Sequence, residues 1–413
     1  MMLSVAVLIG VFILIASRRL GSLKLHIWVV MLSGGLAVLV TGQISPAAAV
    51  RAVNLDVILF LFGMFVIGEG LEASGYLAHL SHRLFRGARS LDGLVLLVLF
   101  GAGLLAAVLM NDTVAVIGTP IVLMLSRQTT VPARILLLSL AFAVTIGSVM
   151  SPIGNPQNLL IAVDSRVASP FITFGRFLLV PTMLNLLITY VLFRLVYRRY
   201  FAIRIIAQPE TPLRDPRLAR LSRLCLILLA GLILVKIGFA LFQAEDNLRL
   251  TYIALTAMLP LLLFSPKRFD IIRNMDWPTL VFFAAMFVLM QSVWDSGIFQ
   301  GLMRGLQLEM GSTSAIMGIS VFLSQIISNV PLVALYLPVL VQLGASTQGM
   351  MALAAGSTIA GNLTILGAAS NVIIIQNAER KSRETLTFFE FARMGLPLTA
   401  LNAAVYWAFL SLA

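Results

Sequence analysis

The chain has 413 residues, of which 60% are hydrophobic and only 11% are charged. This composition is too apolar for a water-soluble domain and indicates that the lipid bilayer is the solvent of the protein. The net charge of +12 does not point to nucleic acid, because the basic residues lie in short loops between apolar runs. The single cysteine, Cys225, excludes an internal disulfide and a multi-cysteine metal site.

Ten apolar runs are long enough to cross about 30 Å of hydrocarbon. They lie near 2–17, 27–44, 55–73, 133–162 and 171–197, and again near 224–243, 251–264, 277–294, 349–378 and 391–412. Five therefore fall in each half of the chain. The first run has neither a basic segment before it nor a cleavage-site pattern after it, so we expect it to be retained as the first crossing.

Two further apolar stretches, about 91–126 and 311–343, are each interrupted by polar residues. The interruptions are Asn111-Asp112-Thr113 in the first stretch and Ser328-Asn329 in the second. Non-helical backbone at membrane depth is tolerated only where it is buried in protein. We therefore predict that each stretch is a re-entrant hairpin whose tip lies inside the protein.

Arginine and lysine residues are concentrated in one set of loops. These loops lie near 18–24, 83–89, 127–134, 198–223, 267–273 and 380–393. By the positive-inside rule they are cytoplasmic, which places both termini outside. The proline-containing segment 198–223 is predicted to be the cytoplasmic linker between a first half, 1–197, and a second half, 224–413.

The two halves share a pattern in the same order. Met64-Phe65-Val66 before Ser74-Gly75 matches Met286-Phe287-Val288 before Ser296-Gly297, Asn111 matches Asn329, and the stretch from Thr145 to Asn158 matches the stretch from Thr358 to Asn371. Each half starts from the opposite side of the membrane, so the repeat is inverted, as in secondary transporters with a midplane site. The predicted fold is an all-α polytopic membrane protein of two inverted repeats, each with five crossings, a re-entrant hairpin and a broken helix.

The breaks are predicted in the fourth crossing of each half. The first, 151–158, contains two prolines and a glycine, and the second, 362–371, is rich in small and polar residues. Tips and breaks expose backbone and side-chain polar groups that can hold a substrate. The predicted substrate-binding residues are Asn111, Thr113, Ser328 and Asn329 at the tips, and Gly154, Asn155, Asn158, Thr364, Gly367 and Asn371 at the breaks. The alternatives are helix capping at the tips and tight packing of small residues at the breaks.

Acidic residues at membrane depth are candidates for ion coupling, because an ionisable group there is costly. Asp112 lies at the first tip, and Glu69 and Glu72 lie in the third crossing. These three are the predicted ion-coupling residues; if the ion is Na⁺, its candidate ligands are Asn111, Asp112 and Asn329. The alternatives are that Asp112 only caps the following helix and that Glu69 and Glu72 lie near the cytoplasmic interface.

Three further acidic residues and the histidines are weaker candidates for a functional site. Asp56, Asp276 and Asp295 sit near the ends of crossings and are expected to be interfacial. The three histidines lack partners for a metal site. No H-E-x-x-H or nucleotide-binding motif is present, so we expect neither enzymatic activity nor a cofactor.

The motifs at the tips and breaks resemble those of the ion transporter superfamily, which contains arsenite permeases, citrate and dicarboxylate/sodium symporters and NhaD-type antiporters. They are N-D-T at 111–113, S-P-I-G-N-P-Q-N at 151–158, S-N-V-P at 328–331 and N-L-T-I-L-G-A-A-S-N at 362–371. The second motif looks most like that of YbiR-like inner-membrane anion permeases. The chain departs from the S-N-T tips of the dicarboxylate branch at Met110, Asp112 and Val330, and its N-D tip is similar to that of arsenite permeases.

The resemblance implies a secondary active transporter of a small anion or oxyanion of the arsenite, citrate or dicarboxylate type, coupled to H⁺ or Na⁺. It further implies a homodimer in the bacterial inner membrane, whose partners are the lipid bilayer and a small anionic substrate. A Na⁺/H⁺ antiporter with no anion substrate is the alternative. A channel is disfavoured by the inverted, broken-helix repeat.

Overall fold

The computed structural model describes residues 2–17, 19–20, 23–24, 26–76, 79, 90–129, 131–163, 167–201, 214–242, 248–305, 311–382 and 385–412. This part of the chain is almost entirely helical. In the first half the helices are α1 (Met2–Ser17), α2 (Ile27–Val40), α3 (Pro46–Ala52), α4 (Leu55–Ser74), α5 (Leu91–Leu109), α6 (Asn111–Thr129), α7 (Ala133–Ser148), α8 (Pro156–Ala162) and α9 (Pro170–Val196). Two two-residue strands, β1 (Arg19–Leu20) and β2 (Leu23–Lys24), pair antiparallel after α1.

The second half continues the helical pattern. Its helices are α10 (Pro216–Leu241), α11 (Leu250–Phe264), α12 (Arg268–Asn274), α13 (Trp277–Asp295), α14 (Ile298–Gly305), α15 (Thr313–Ile327), α16 (Asn329–Gln342), α17 (Thr347–Ile359), α18 (Ala369–Ser382) and α19 (Phe388–Leu412). The predicted all-α membrane fold is therefore confirmed.

Six helices in the described part of the chain are long and apolar enough to cross a membrane. They are α4, α5, α9, α10, α13 and α19. Eighteen helical residues cover about 27 Å, close to the thickness of the hydrocarbon core. Shorter apolar helices, among them α1, α2, α7 and α11, occupy other runs predicted as crossings.

Each predicted hairpin consists of two helices that meet at a single residue. Helices α5 and α6 meet at Met110, and α15 and α16 meet at Ser328. Both residues have positive φ, 70° and 65° respectively, a conformation that costs a non-glycine residue about 1–3 kcal/mol. The interruption thus lies one residue before Asn111, and Asn111-Asp112-Thr113 form the first turn of α6 instead of a non-helical gap.

The predicted breaks separate α7 from α8 and α17 from α18. Pro156 begins α8, where a missing N–H costs nothing. Gly154 is required in the first break, because a Cβ there would lie 2.2 Å from the carbonyl oxygen of Ser148. The second break contains two short 3₁₀ turns, Ala360–Asn362 and Ile365–Gly367.

The two halves interlock through these elements. Helix α8, which follows the first break, packs against α16 of the second hairpin, and α18, which follows the second break, packs against α6 of the first hairpin. Each hairpin also packs against the helix that precedes the break of its own half. Both tips and both breaks are thereby brought to the centre of the protein.

Helix α10 begins earlier than the hydropathy pattern indicated. It starts at Pro216, so 216–223, the last part of the predicted linker, is helical. A 3₁₀ turn at Arg198–Tyr200 forms the beginning of that segment, and 202–213 lie outside the described residues. The helix in the predicted run 27–44 ends at Val40.

Candidate functional site

A cavity of ≈ 280 Å³, called here the central cavity, lies where the two tips meet the helices that follow the breaks. Its polar lining consists of His26, Asn111, Asp112, Gln157, Asp276, Thr279, Ser328, Asn329 and Gln376. The structure therefore brings four of the predicted site residues together in one space: Asn111, Asp112, Ser328 and Asn329.

Four helices of at least fourteen residues begin at the central cavity. Their first residues, Ile27 of α2, Asn111 of α6, Asn329 of α16 and Ala369 of α18, all line it. Helix N-termini carry partial positive charge and unpaired N–H groups, and so favour an anion. At α16 this end is not capped by the Ser328 side chain, which leaves its first N–H groups free for a ligand.

The first tip is docked onto the first break. The backbone N–H of Asn111 donates to the carbonyl oxygen of Gly154 at 2.9 Å, and the backbone N–H of Asp112 donates to Asn111 Oδ1 at 2.9 Å. The side-chain oxygen of Asn111 thus accepts a hydrogen bond from one of the otherwise free N–H groups at the start of α6. The carboxylate of Asp112, whose residue is 9% exposed, makes no hydrogen bond or ion pair with the described residues.

The second tip carries an unpaired acceptor. Asn329 is only 6% exposed, and its Oδ1 accepts no hydrogen bond within the described structure. A buried amide oxygen without a donor is costly, by about 1–3 kcal/mol. Because Asn329 borders the central cavity, this oxygen is suited to a ligand that brings a proton donor or a cation.

The polar side chains of the first break form hydrogen bonds with the backbone and side chains of the break itself. Asn158 Nδ2 donates to the carbonyl oxygens of Ser148 at 3.1 Å and Ser151 at 3.0 Å. The amide of Asn155 caps α8 through its oxygen and donates to Ser148 Oγ at 3.0 Å and to Thr358 Oγ1 at 3.3 Å. These groups satisfy the backbone that the break leaves unpaired.

The second break is closed in the same manner. Asn371 Nδ2 donates to the carbonyl oxygens of Gly361 at 2.7 Å and Thr364 at 3.4 Å, and the N–H of Gly367 donates to the Thr364 carbonyl at 3.0 Å. Thr364 Oγ1 donates to Gln325 at 3.3 Å.

Besides Thr113 of the first tip, six of the residues predicted to bind substrate do not line the central cavity. They are Gly154, Asn155, Asn158, Thr364, Gly367 and Asn371. Their neighbours line it instead, notably Gln157, which is 3% exposed and donates to Thr358 Oγ1 at 3.2 Å. The sequence motif included Gln157, but only the direction of its side chain distinguishes it from Asn155 and Asn158.

The predicted ion-coupling residues come together in a second cavity of ≈ 430 Å³, called here the acidic cavity. It is lined by Glu69 and Glu72 of α4, by Asp112 and Thr113 of α6, and by Asp276. Asp112 and Asp276 border both cavities. No lysine or arginine of the described chain lines either of them.

Asp276 is the residue that sequence reasoning missed. It was expected to be interfacial, whereas it is partly buried between the two cavities. Its Oδ1 accepts from the backbone N–H of Thr279 at 3.1 Å and its Oδ2 from Thr279 Oγ1 at 2.6 Å, so it caps α13. The cap motif was readable from the sequence, but the proximity of α13 to the first tip was not.

Comparison with known proteins places this architecture in a family. A family model described as a citrate transporter, CitMHS, matches residues 11–350. The chain belongs to the citrate transporter family. This membership confirms the resemblance to the ion transporter superfamily.

Relatives described as transporters match this citrate transporter family member over most of both chains. An uncharacterised transporter of Mycobacterium tuberculosis is 29% identical over 97% of the chain and 96% of its own length. The silicon efflux transporter LSI3 of Oryza sativa subsp. japonica is 26% identical over 91% of the chain and 90% of its own length. The protein is therefore an integral membrane transporter.

The fold is also similar to a solved transporter. The crystal structure of the Alcanivorax borkumensis YdaH transporter aligns with a TM-score of 0.60, covering 100% of this chain and 97% of that one at 16% identity. At this level of identity the likeness establishes the fold alone.

Proposed function

We propose that this member of the citrate transporter family is a secondary active transporter of a small anion or oxyanion, coupled to H⁺ or Na⁺. The observation that carries the proposal is the charge pattern of the central cavity. Four helices begin there, no lysine or arginine of the described chain lines it, and Asp112 and Asp276 border it. The site therefore attracts an anion through helix ends and polar side chains, without lysine or arginine, and it does so beside two carboxylates.

This pattern supports coupling of the anion to a cation. With Asp112 and Asp276 ionised, an anion in the central cavity meets like charges in a medium of low dielectric constant. Binding of a cation or a proton at the carboxylates removes that repulsion. The substrate and the coupling ion thus favour each other in a symporter, and the ion exchanges against the substrate in an antiporter.

The two tips are suited to different ligands. The uncapped start of α16 and the hydroxyl of Ser328 supply hydrogen-bond donors and are suited to an oxygen of the substrate. The first tip, where Asp112 has no protein partner and Asn111 is tied to the first break, is suited to the coupling ion. If that ion is Na⁺, Asn111, Asp112 and Asn329 supply oxygen ligands of the type that hard cations prefer.

The size of the central cavity favours a small substrate. A volume of ≈ 280 Å³ is at the lower end of small-molecule pockets. Substrates of the arsenite, citrate or dicarboxylate type are of this class. The name of the rice relative adds silicic acid to the compounds worth testing.

A proteoliposome uptake panel tests the proposal. Arsenite, citrate, succinate, sulfate, phosphate and silicic acid are offered separately under an imposed proton gradient and under an imposed sodium gradient. We expect one of them to accumulate against its gradient under one ion gradient and not the other. Absence of gradient-driven accumulation of every compound would overturn the assignment to coupled anion transport.

A Na⁺/H⁺ antiporter without an anion substrate is the second candidate, and the acidic cavity favours it. Glu69, Glu72, Asp112 and Asp276 would supply a route for cations alone. The same vesicles distinguish the two functions, because an antiporter takes up ²²Na⁺ against a proton gradient with no added anion.

We further propose that the protein works as a homodimer in the plasma membrane with both termini outside. The arginine- and lysine-rich loops support that orientation by the positive-inside rule. In this orientation Asp276, which follows the loop containing Lys267 and Arg273, faces the cytoplasm, so the acidic cavity opens inward.

A further inference from the structure

A third cavity, of ≈ 560 Å³, is the counterpart of the acidic cavity in the other half of the chain. It is lined by Phe287, Met290, Gln291 and Trp294 of α13 and by Asn54 before α4. The acidic cavity is lined by residues at the matching positions, Phe65, Gly68, Glu69, Glu72 and Asp276. We call the third cavity the neutral cavity.

The two cavities lie at opposite ends of one helix pair. The acidic cavity combines the last turns of α4 with the residues just before α13, and the neutral cavity combines the last turns of α13 with the residues just before α4. Helices α4 and α13, which pack together, therefore run antiparallel. This is the arrangement expected of matching elements in inverted repeats.

The cavities differ in charge at each matched position that is acidic in one of them. Glu69 corresponds to Gln291, Glu72 to Trp294 and Asp276 to Asn54. The counterpart of Asp112 at the second tip is Val330, which lines the central cavity. All four carboxylates thus lie at one end of the helix pair, whereas no acidic residue of the described chain lines the neutral cavity at the other end.

Two side chains beside Asp276 point to a ligand. The carboxylate of Asp112 and Oδ1 of Asn329 belong to residues more than nine-tenths buried, both line the central cavity with Asp276, and neither has a partner in the described structure. Together with Asp276, the site thus offers two carboxylates and one neutral amide oxygen. A monovalent cation, Na⁺ or a proton shared by the carboxylates, meets the needs of all three.

We propose that Asp276 is the second carboxylate of a single coupling-cation site, shared with Asp112, and that the cation enters and leaves through the acidic cavity past Glu69 and Glu72. This inference rests on the proposed coupled transport. Because the matching positions are neutral, the described residues form no symmetry-related second site, and we expect one cation to be bound per chain. His26 is the other titratable group that faces the site.

Because Asp276 caps a helix, its charge can be removed by substitutions that keep a capping oxygen and therefore keep the fold. Asn54 caps α4 by accepting from the N–H of Val57 at 3.1 Å, as Asp276 caps α13 through Thr279. Asp276→Asn therefore installs the residue that already performs this task at the matching position. Asp276→Ser, which also retains a capping oxygen, is the second variant.

The test is direct cation binding by the purified full-length protein in detergent. Saturable ²²Na⁺ binding and proton uptake after a small pH jump are measured on the wild type, Asp112→Asn, Asp276→Asn and Asp276→Ser. Asp295→Asn is the matched control, since it removes the same charge from the exposed far end of α13. The two readouts separate Na⁺ from H⁺ as the cation.

We expect the wild type and Asp295→Asn to bind one cation per chain, and the variants of Asp112 and Asp276 to bind it at least about tenfold more weakly. Two equivalent sites in the wild type, no cation binding, or unchanged binding in both Asp276 variants overturns the inference. Single-cation binding without accumulation of any anion would leave this site standing and remove the proposed function. If Asp276→Asn accumulates substrate with the same dependence on the cation as the wild type, the proposed function stands and the cation site at Asp276 is excluded.

Discussion

Asn158 and Asn371 close the two helix breaks with the same pair of hydrogen bonds. Besides a third bond from Asn158 Nδ2 to the carbonyl of Val149, each Nδ2 donates to two matching carbonyls of its own break, Ser148 and Ser151 for Asn158 and Gly361 and Thr364 for Asn371. The six matching residues are related by one constant sequence offset. The local geometry therefore supports the predicted internal repeat at the level of individual atoms.

Removal of the side-chain amide of Asn158 or of Asn371 should lower the stability of the protein and affect substrate binding less. Asn158→Ala and Asn371→Ala each leave buried carbonyls without a donor, and we expect a loss of about 1–3 kcal/mol in the free energy of unfolding. Thermal unfolding in detergent measures it, with the exposed Gln376→Ala as control. Unfolding temperatures equal to that of the wild type would show that the breaks do not depend on these bonds.

The tip amides should behave in the opposite way. Asn329→Ala removes an oxygen that has no partner in the described structure, so we expect transport to be lost while the free energy of unfolding stays within about 0.5 kcal/mol of the wild type. Asn111→Ala should also abolish transport but destabilise by about 1 kcal/mol, because Asp112 N–H loses its acceptor. Normal uptake by both variants would exclude the tips as the binding site.

Asp112→Asn should separate coupling from translocation. The substitution retains the shape of the side chain and removes its charge, so gradient-driven accumulation should disappear while exchange of substrate down its gradient persists. Uptake and counterflow in the same vesicles measure the two activities. Unaltered dependence on pH and sodium would mean that Asp112 does not bind the coupling ion, and Glu69 or Glu72 would take its place.

The inverted arrangement of the hairpins can be tested by labelling. In a Cys225→Ser background, cysteines introduced at the exposed Arg127, after the first hairpin, and the exposed Thr347, after the second, should react with an impermeant reagent from opposite sides of the membrane. Arg127→Cys should be labelled only in inverted vesicles and Thr347→Cys in intact cells. Reaction of both from one side would contradict the topology.

A salt bridge outside the membrane should give a small, acid-sensitive contribution to stability. Lys267 Nζ lies 2.8 Å from Asp215 Oδ2, and its hydrogen bond holds the pKa of Asp215 below the usual value of 3.8. A lowered pKa stabilises the fold above the ordinary pKa of aspartate, and that contribution is lost as the pH falls through the lowered value. Lys267→Met should therefore lower the unfolding temperature slightly at neutral pH and not below about pH 3. An equal difference at both pH values would exclude the ion pair as its cause.

The amino-acid sequence by itself determined the elements and their order. Apolar run length predicted the crossings, and polar interruptions predicted two hairpins whose helices meet at Met110 and Ser328. Proline and glycine at 152–156 marked the first break. These features were readable because helix length, helix ends and prolines act through neighbours within a few residues.

Only the tertiary structure decided which polar groups face the cavities. Asn155 and Asn158 share one motif with Gln157, yet they bond to their own break while Gln157 lines the central cavity. Asp276 follows Asp112 by more than a hundred and fifty residues, and packing of α13 beside α4 and the first tip brings both to the same two cavities. Such contacts depend on how distant helices fit together, a property that no local pattern of residues contains.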